Sequence, residues 1–298
     1  MPSGDAHMER GLGGLERVVL EADQGVAHVY LHGAQVTHFQ PRDARPVLFV
    51  SRESHFEAGA PGKPIRGGVP ICFPWFGAKP DDPAAPAHGF ARLLAWHVTD
   101  LSPDDRGRAR ATLRLDASDY TRRYFAHDFA AVLSVTVDAS LQIGLTLLNR
   151  GSVPMVIEEA FHSYFAVGDA RRVSIRGLEG TPYLDKTEGA ARKVGEPAPI
   201  AIMRETDRVY PSARGVVTID DPILSRRIVV DKSGSATTVV WNPWMAKAAA
   251  MKDFGDDEWT QMACVETANT AENAVTIAPG ESHTMSATIA VHPSQTAS

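Results

Sequence analysis

Cysteine is nearly absent from the 298 residues: only Cys72 and Cys264 occur, far apart and outside any metal-type spacing. Two thiols so placed are expected to stay free in a reducing compartment. No apolar run is long enough to span a bilayer. The first ten residues, Met1 to Arg10, carry acids early and lack the apolar centre of a secretory signal. A cytoplasmic protein without a membrane partner is expected. The net charge of −6 offers no dedicated surface for nucleic acid, although it leaves room for a local basic pocket. His-Glu-x-x-His, Cys-x-x-Cys, Gly-x-Ser-x-Gly and the dinucleotide-binding glycine fingerprint are all missing, so neither metal nor cofactor is expected.

What is present is an ordinary globular composition, 44% hydrophobic and 22% charged, in a chain long enough to bury a core without staples. Most segments follow the two-residue period of strands. Leu133, Val135 and Val137 share one face, the turn residues Asp138-Ala139-Ser140 follow, and Ile143, Leu145 and Leu147 alternate again. Similar runs cover 17–22, 26–31, 47–51, 109–115, 216–220, 227–231, 237–241 and 283–291. Such spacing predicts a mostly β protein built as a large antiparallel β-sandwich. Short helices are expected only at 118–125 and 245–253. Residues 1–14 and 293–298 are expected as tails around a single domain of 15–292. The loops 76–88 and 252–258 have the composition of functional rims.

Local patterns single out a few polar residues. Read as one strand, 155–165 puts Glu158, His162 and Tyr164 on one face and Ile157, Phe161 and Phe165 on the other, with Glu159 misplaced on the apolar face. Histidine suits acid–base work but is equally common on surfaces. Glu266 interrupts an apolar stretch, Ala263-Cys264-Val265-Glu266-Thr267, where an unpaired carboxylate is costly to bury. Arg66 precedes the paired glycines Gly67-Gly68, and His88-Gly89-Phe90-Ala91-Arg92 adds a second histidine and arginine. Two arginines beside glycine turns suit a small anionic ligand. Asp207 can bind hydroxyls or form a surface ion pair, and Trp241 and Trp244 read best as core residues. Each signal alone is weak.

In order, Ile65-Arg66-Gly67-Gly68-Val69-Pro70, Phe73-Pro74, His88-Gly89-Phe90-Ala91-Arg92, Phe161-His162-Ser163-Tyr164-Phe165, Asp207-Arg208-Val209-Tyr210, Trp241-Asn242-Pro243-Trp244 and Val265-Glu266-Thr267 are more specific. The series resembles the glucose-6-phosphate 1-epimerases, or hexose-6-phosphate mutarotases, of the galactose-mutarotase-like superfamily, from about Leu15 to Val291. That resemblance implies a supersandwich with a concave sugar face, His162 and Glu266 as catalytic residues, and Arg66, Arg92, Asp207 and His88 as substrate contacts. It further implies a small-molecule sugar-phosphate partner and a monomer. Ala87 stands where some members carry glutamine. The expected chemistry is interconversion of α and β anomers of an aldohexose 6-phosphate, with Glu266 as base and a protonated His162 as acid, its charge favoured by Glu158. Neutral-sugar epimerase activity, or carbohydrate binding without turnover, are the alternatives.

Overall fold

The computed structural model describes residues 4–294 except 58 and 60. Within them the regular structure is almost entirely antiparallel strand, as the alternation predicts. One eight-stranded sheet runs Ser174–Arg176, Val217–Asp221, Arg226–Ser233, Ser282–Pro293, Leu141–Asn149, Phe129–Val137, Ala109–Asp116 and His97–Asp100. Its apolar residues point one way, so Leu113, Leu133, Leu145 and Met285 lie side by side in register and fully buried. A second sheet runs Ala191–Lys193, Tyr183–Asp185, Thr206–Tyr210, Thr237–Asn242, Met262–Asn269, Glu159–Phe161 and Ile71–Cys72, with Tyr164–Ala166 also on Met262–Asn269. Phe161, Phe165, Val240, Ala263 and Val265 of this sheet join one continuous core with the first. The face turned away from that core carries the site. We call the two the outer sheet and the site sheet.

A four-stranded sheet of Asp5–Arg10, Glu16–Ala22, Gly25–Tyr30 and Gln35–Pro41 packs its Val18, Leu20, Ala27 and Val29 into the same core. Its first strand was expected as a tail. Asp5–Arg10 pairs in full register with Glu16–Ala22 but is almost wholly exposed, so its sequence shows no apolar alternation to reveal it. At the other end the strand continues through Pro293, and residues 295–298 of the expected tail lie outside those described.

Other expectations need correction. Among the described residues, 47–51 make only isolated bridges, Leu48 to Phe165 and Val50 to Gly67, because their hydrogen bonds are divided between Phe39, Tyr164 and Ala166 on two different strands and Arg66 and Gly68 in a loop, so no single ladder builds up. The segment 155–165 is three short strands, Met155–Ile157, Glu159–Phe161 and Tyr164–Ala166. At the two breaks, the Glu158 and His162 amides donate to the carbonyls of Pro74 and Pro70. The helices are shorter than expected, Asp119–Arg122 and Trp244–Ala250. No helix among the described residues is long and apolar enough to cross a membrane.

Candidate active site

Register across the site sheet assembles the pocket. Asp207, Trp241, Cys264 and Tyr164 are successive cross-strand neighbours, and so are Val209, Val239 and Glu266 one step further along. Side chains two apart on a strand share a face, so both rows look away from the core. Phe161 pairs with Thr267 and Tyr164 with Cys264, which sets His162 opposite Glu266 across the interruption. Its Nδ1 lies 3.4 Å from Glu266 Oε1. Tyr164 stacks on the His162 ring at 4.9 Å, and Trp241 meets it edge-on at 5.8 Å. The ring is thereby fixed in plane, and the pair is nearly sealed, with 7% of His162 and 1% of Glu266 exposed.

A cavity of about 340 Å³ opens above the pair. It is bounded by all six residues singled out by the sequence: Arg66, His88, Arg92, His162, Asp207 and Glu266. The loop 76–88 contributes Phe76, Gly77 and Ala87 to the same wall. The other acidic loop works behind it. Asp253 accepts from Nε and Nη2 of Arg66 at 3.1 and 3.0 Å, while Arg66 Nη1 donates to the Tyr164 hydroxyl at 3.0 Å. Gly67 and Gly68 have positive φ, and a side chain at either would strike the carbonyl of Phe49 or Val36. Only glycine lets Arg66 enter the pocket at this level.

Arg92, in the turn Ala91–Leu93, is 8% exposed and donates through Nη2 to the Ala87 carbonyl at 2.8 Å; its Nε has no partner among the described residues. Where a glutamine stands in some related sequences, the backbone of Ala87 thus still holds the arginine. His88 Nδ1 accepts from the Gly77 amide at 3.2 Å, with the Cys72 thiol at 3.5 Å. The ring proton therefore sits on Nε2. Burial, and then Arg92 and His162, hold His88 well below its ordinary pKa, so it is a neutral donor.

The proton state of the central pair differs from expectation. Burial, with Arg92 and Arg66 adding to it, pushes His162 down to about 3. Burial, reinforced by Asp207 and opposed by Arg92, raises Glu266 well above the carboxylate range. A lone charge is expensive in such a place, so both groups rest neutral. An acid beside a neutral imidazole nevertheless carries the same protons as a carboxylate beside an imidazolium. Glu158 does not assist. Its carboxylate is spent on the Phe76 and Ala271 amides and the Thr270 hydroxyl. Glu159, the misfit of the parity reading, is fully buried on the core side and held by Asn269 and His283, each at 2.9 Å.

Two cations escaped the sequence. Lys186, just after strand Tyr183–Asp185, and Lys247, in helix Trp244–Ala250, both line the cavity near Asp207. No local pattern marks either, since their approach depends on long-range register. Lys247 is paired with Glu205 at 2.8 Å, whereas Lys186 makes no ion pair among the described residues. Burial raises the pKa of Asp207 against the pull of these two lysines. Trp241, read as core, is buried and also forms cavity wall; Trp244 packs on Trp259 at 4.3 Å.

Comparison with known proteins gives a consistent result. A family model described as aldose 1-epimerase matches residues 16–290. A protein of Cenchrus ciliaris, provisionally named glucose-6-phosphate 1-epimerase, is 35% identical over 290 residues, covering 94% of this chain and 86% of the relative. One from Escherichia coli strain K12 with the same provisional name is 35% identical over 263 residues, covering 88% and 86%. The crystal structure of a provisionally named mutarotase from Salmonella typhimurium superposes with a TM-score of 0.88 at 31% identity, covering 98% of this chain and 95% of that one.

Proposed function

The chain belongs to the aldose 1-epimerase family and is an epimerase, and we propose that it interconverts the α and β anomers of glucose 6-phosphate with His162 and Glu266 as the proton-transfer pair. The observation that carries this reading is the 3.4 Å His162–Glu266 contact at the floor of a cavity whose rim holds Arg66, Arg92, Lys186 and Lys247. The cavity size suits a single hexose, for ligand sites begin at roughly 300 Å³. Its excess of cations suits a substrate that carries a phosphate.

Ring opening removes a proton from the C1 hydroxyl and delivers one to the ring oxygen as the C1–O5 bond breaks. The resting pair holds the proton on Glu266. A bound phosphate dianion offsets Arg66 and Arg92, the charges that add to burial in holding His162 down. Transfer from Glu266 to His162 then becomes favourable and yields the carboxylate base and imidazolium acid. Glu266 takes the hydroxyl proton, His162 protonates the ring oxygen, the aldehyde turns about C1–C2, and closure reverses both transfers. His88 Nε2–H and Asp207 orient sugar oxygens. Only protons move in this scheme, so no redox cofactor enters it.

Two-dimensional exchange NMR on glucose 6-phosphate and on free glucose tests the reading. Exchange is expected to be much faster for the phosphorylated sugar. Equal rates for the two would remove the phosphate from the mechanism, and full activity in His162→Ala would remove its acid.

A further inference from the structure

The pair just described has a third neighbour with a different chemistry. A ring nitrogen of His162, the Cys264 sulfur and a Glu266 carboxylate oxygen all lie within 4.8 Å of one another, and all three residues are buried. Cys264 and Glu266 sit two apart on strand Met262–Asn269, so they share its site face, and His162 lies across from them. Two polar atoms here have no hydrogen-bond partner among the described residues, His162 Nδ1 and Glu266 Oε2. Unpartnered buried atoms are rare and ask for an occupant. Imidazole, thiolate and carboxylate together form a ligand set for a borderline-soft divalent ion.

We propose that His162, Cys264 and Glu266 form an inhibitory zinc site. Tetrahedral zinc with ordinary bond lengths separates its ligand atoms by roughly 3.3–3.6 Å. The His162 Nδ1 to Glu266 Oε1 distance of 3.4 Å already matches that edge. The widest separation needs to close by no more than roughly 1.3 Å for the three atoms to share one ion. His162 and Glu266 both line the cavity, from which water would take the fourth position. Stacking by Tyr164 and the edge of Trp241 hold the imidazole in plane for coordination as they do for proton transfer. Binding replaces the protons of the thiol and carboxyl and uses the imidazole lone pair, so neither His162 nor Glu266 can then exchange a proton with the sugar. Magnesium and calcium prefer six or more oxygen ligands and find none of that geometry here.

Inhibition as a readout rests on the function proposed above, whereas binding does not, and the two are measured separately. Cobalt(II) is added to the purified protein as an optical surrogate, and zinc chloride is titrated into the glucose 6-phosphate exchange assay. A cobalt–thiolate charge-transfer band is expected, bleached by zinc, together with inhibition that a chelator reverses and that magnesium does not reproduce. Cys264 takes no part in the proposed proton transfers, so Cys264→Ala should keep basal exchange. Its zinc sensitivity should fall by about tenfold or more, the usual consequence of weakening a metal's coordination. Cys264→Ser, closer in volume, repeats the measurement should the alanine variant melt early. Absence of the thiolate band, unchanged zinc sensitivity in a folded Cys264 variant, or stimulation by zinc would each overturn the proposal. A thiolate band in a protein that does not catalyse exchange would uphold the site and overturn the function.

Discussion

The two large sheets share one core but are built on different terms. In the outer sheet burial alternates along a strand: Leu141, Ile143, Leu145, Leu147 and Asn149 are buried, and the residues between them are partly open. In the site sheet all eight residues of Met262–Asn269 and all six of Thr237–Asn242 are buried. Side chains still alternate there, but the second face meets the pocket and its cover instead of water. A sheet with both faces covered can hold Glu266, His162 and Asn242 out of solvent, at a cost in desolvation that the outer sheet meets only at isolated positions such as Asn149, Asp221 and Arg226. The difference assigns stability to one sheet and chemistry to the other.

The sharpest way to break that assignment is Glu266→Gln. The amide matches the neutral carboxyl in shape but cannot relay a proton. Anomer exchange should fall by about 10²–10⁴-fold, the range for losing an acid–base group. The melting temperature should barely move, because the resting group is uncharged already. Exchange near the wild-type rate would mean that the pocket's chemistry lies elsewhere. The reciprocal change is Leu145→Ala, fully buried in mid-sheet between Leu133 and Met285. Stability should drop by about 2–5 kcal/mol. Exchange per folded molecule should hold, and denaturant unfolding alongside the exchange assay checks both halves.

A subtler distinction lies in pH. The folded His162 titrates near 3 against an ordinary 6.5, so between those values the unfolded chain holds a proton that the native state does not. Stability is therefore full above about pH 6.5 and falls as pH drops toward 3. His88 and His28, the latter brought to about 4 by burial and then Arg17, act in the same sense. His162→Asn should make this acid slope shallower without abolishing it. His283, on the outer sheet, behaves oppositely. Its bond to Glu159 raises its pKa, so that contribution is complete at low pH and lost as pH climbs through the raised value. Thermal melts from the acid range through neutrality and above separate the two, and an unchanged acid slope in His162→Asn would remove the buried imidazole as its source.

The same contrast decides what could be read in the sequence. Leu133 to Leu147 announced their strands because one face is apolar and the other wet. Asp5–Arg10 stayed hidden because both its faces are wet, and residues 47–51 looked like a strand because an apolar loop and an apolar strand share a composition. His162 and Glu266 were ambiguous for a related reason: a buried polar residue on a covered face resembles an exposed one on an open face. Only their place in an ordered series of motifs separated the two. Lys186 and Lys247 had no such series, and their approach to the cavity is set by cross-strand register and the helix after Thr237–Asn242. The proton state of the pair was also out of reach, because burial and the two arginines that set it are properties of the assembled fold.

The smallest predicted effect tests how far the division extends to glycine. In the site region Gly67, Gly68 and Gly89 have positive φ, and a side chain at any of them would strike backbone. Gly144 in the outer sheet is different. It sits in mid-strand at ordinary φ, with no atom of the described residues within 4 Å of the place a side chain would occupy, and it is flanked in register by Ser134 and Ser286. Glycine there only loosens the strand. Threonine fits a pleated, half-open face and restricts the unfolded chain, so Gly144→Thr should stabilise by about 0.5–1 kcal/mol and leave exchange unchanged. The same substitution at Gly68 should destabilise the protein and displace Arg66 from the cavity. Were the two variants to shift the melting temperature alike, glycine would play the same part in the outer sheet and beside the pocket, and the separation of a structural sheet from a chemical one would not reach the backbone.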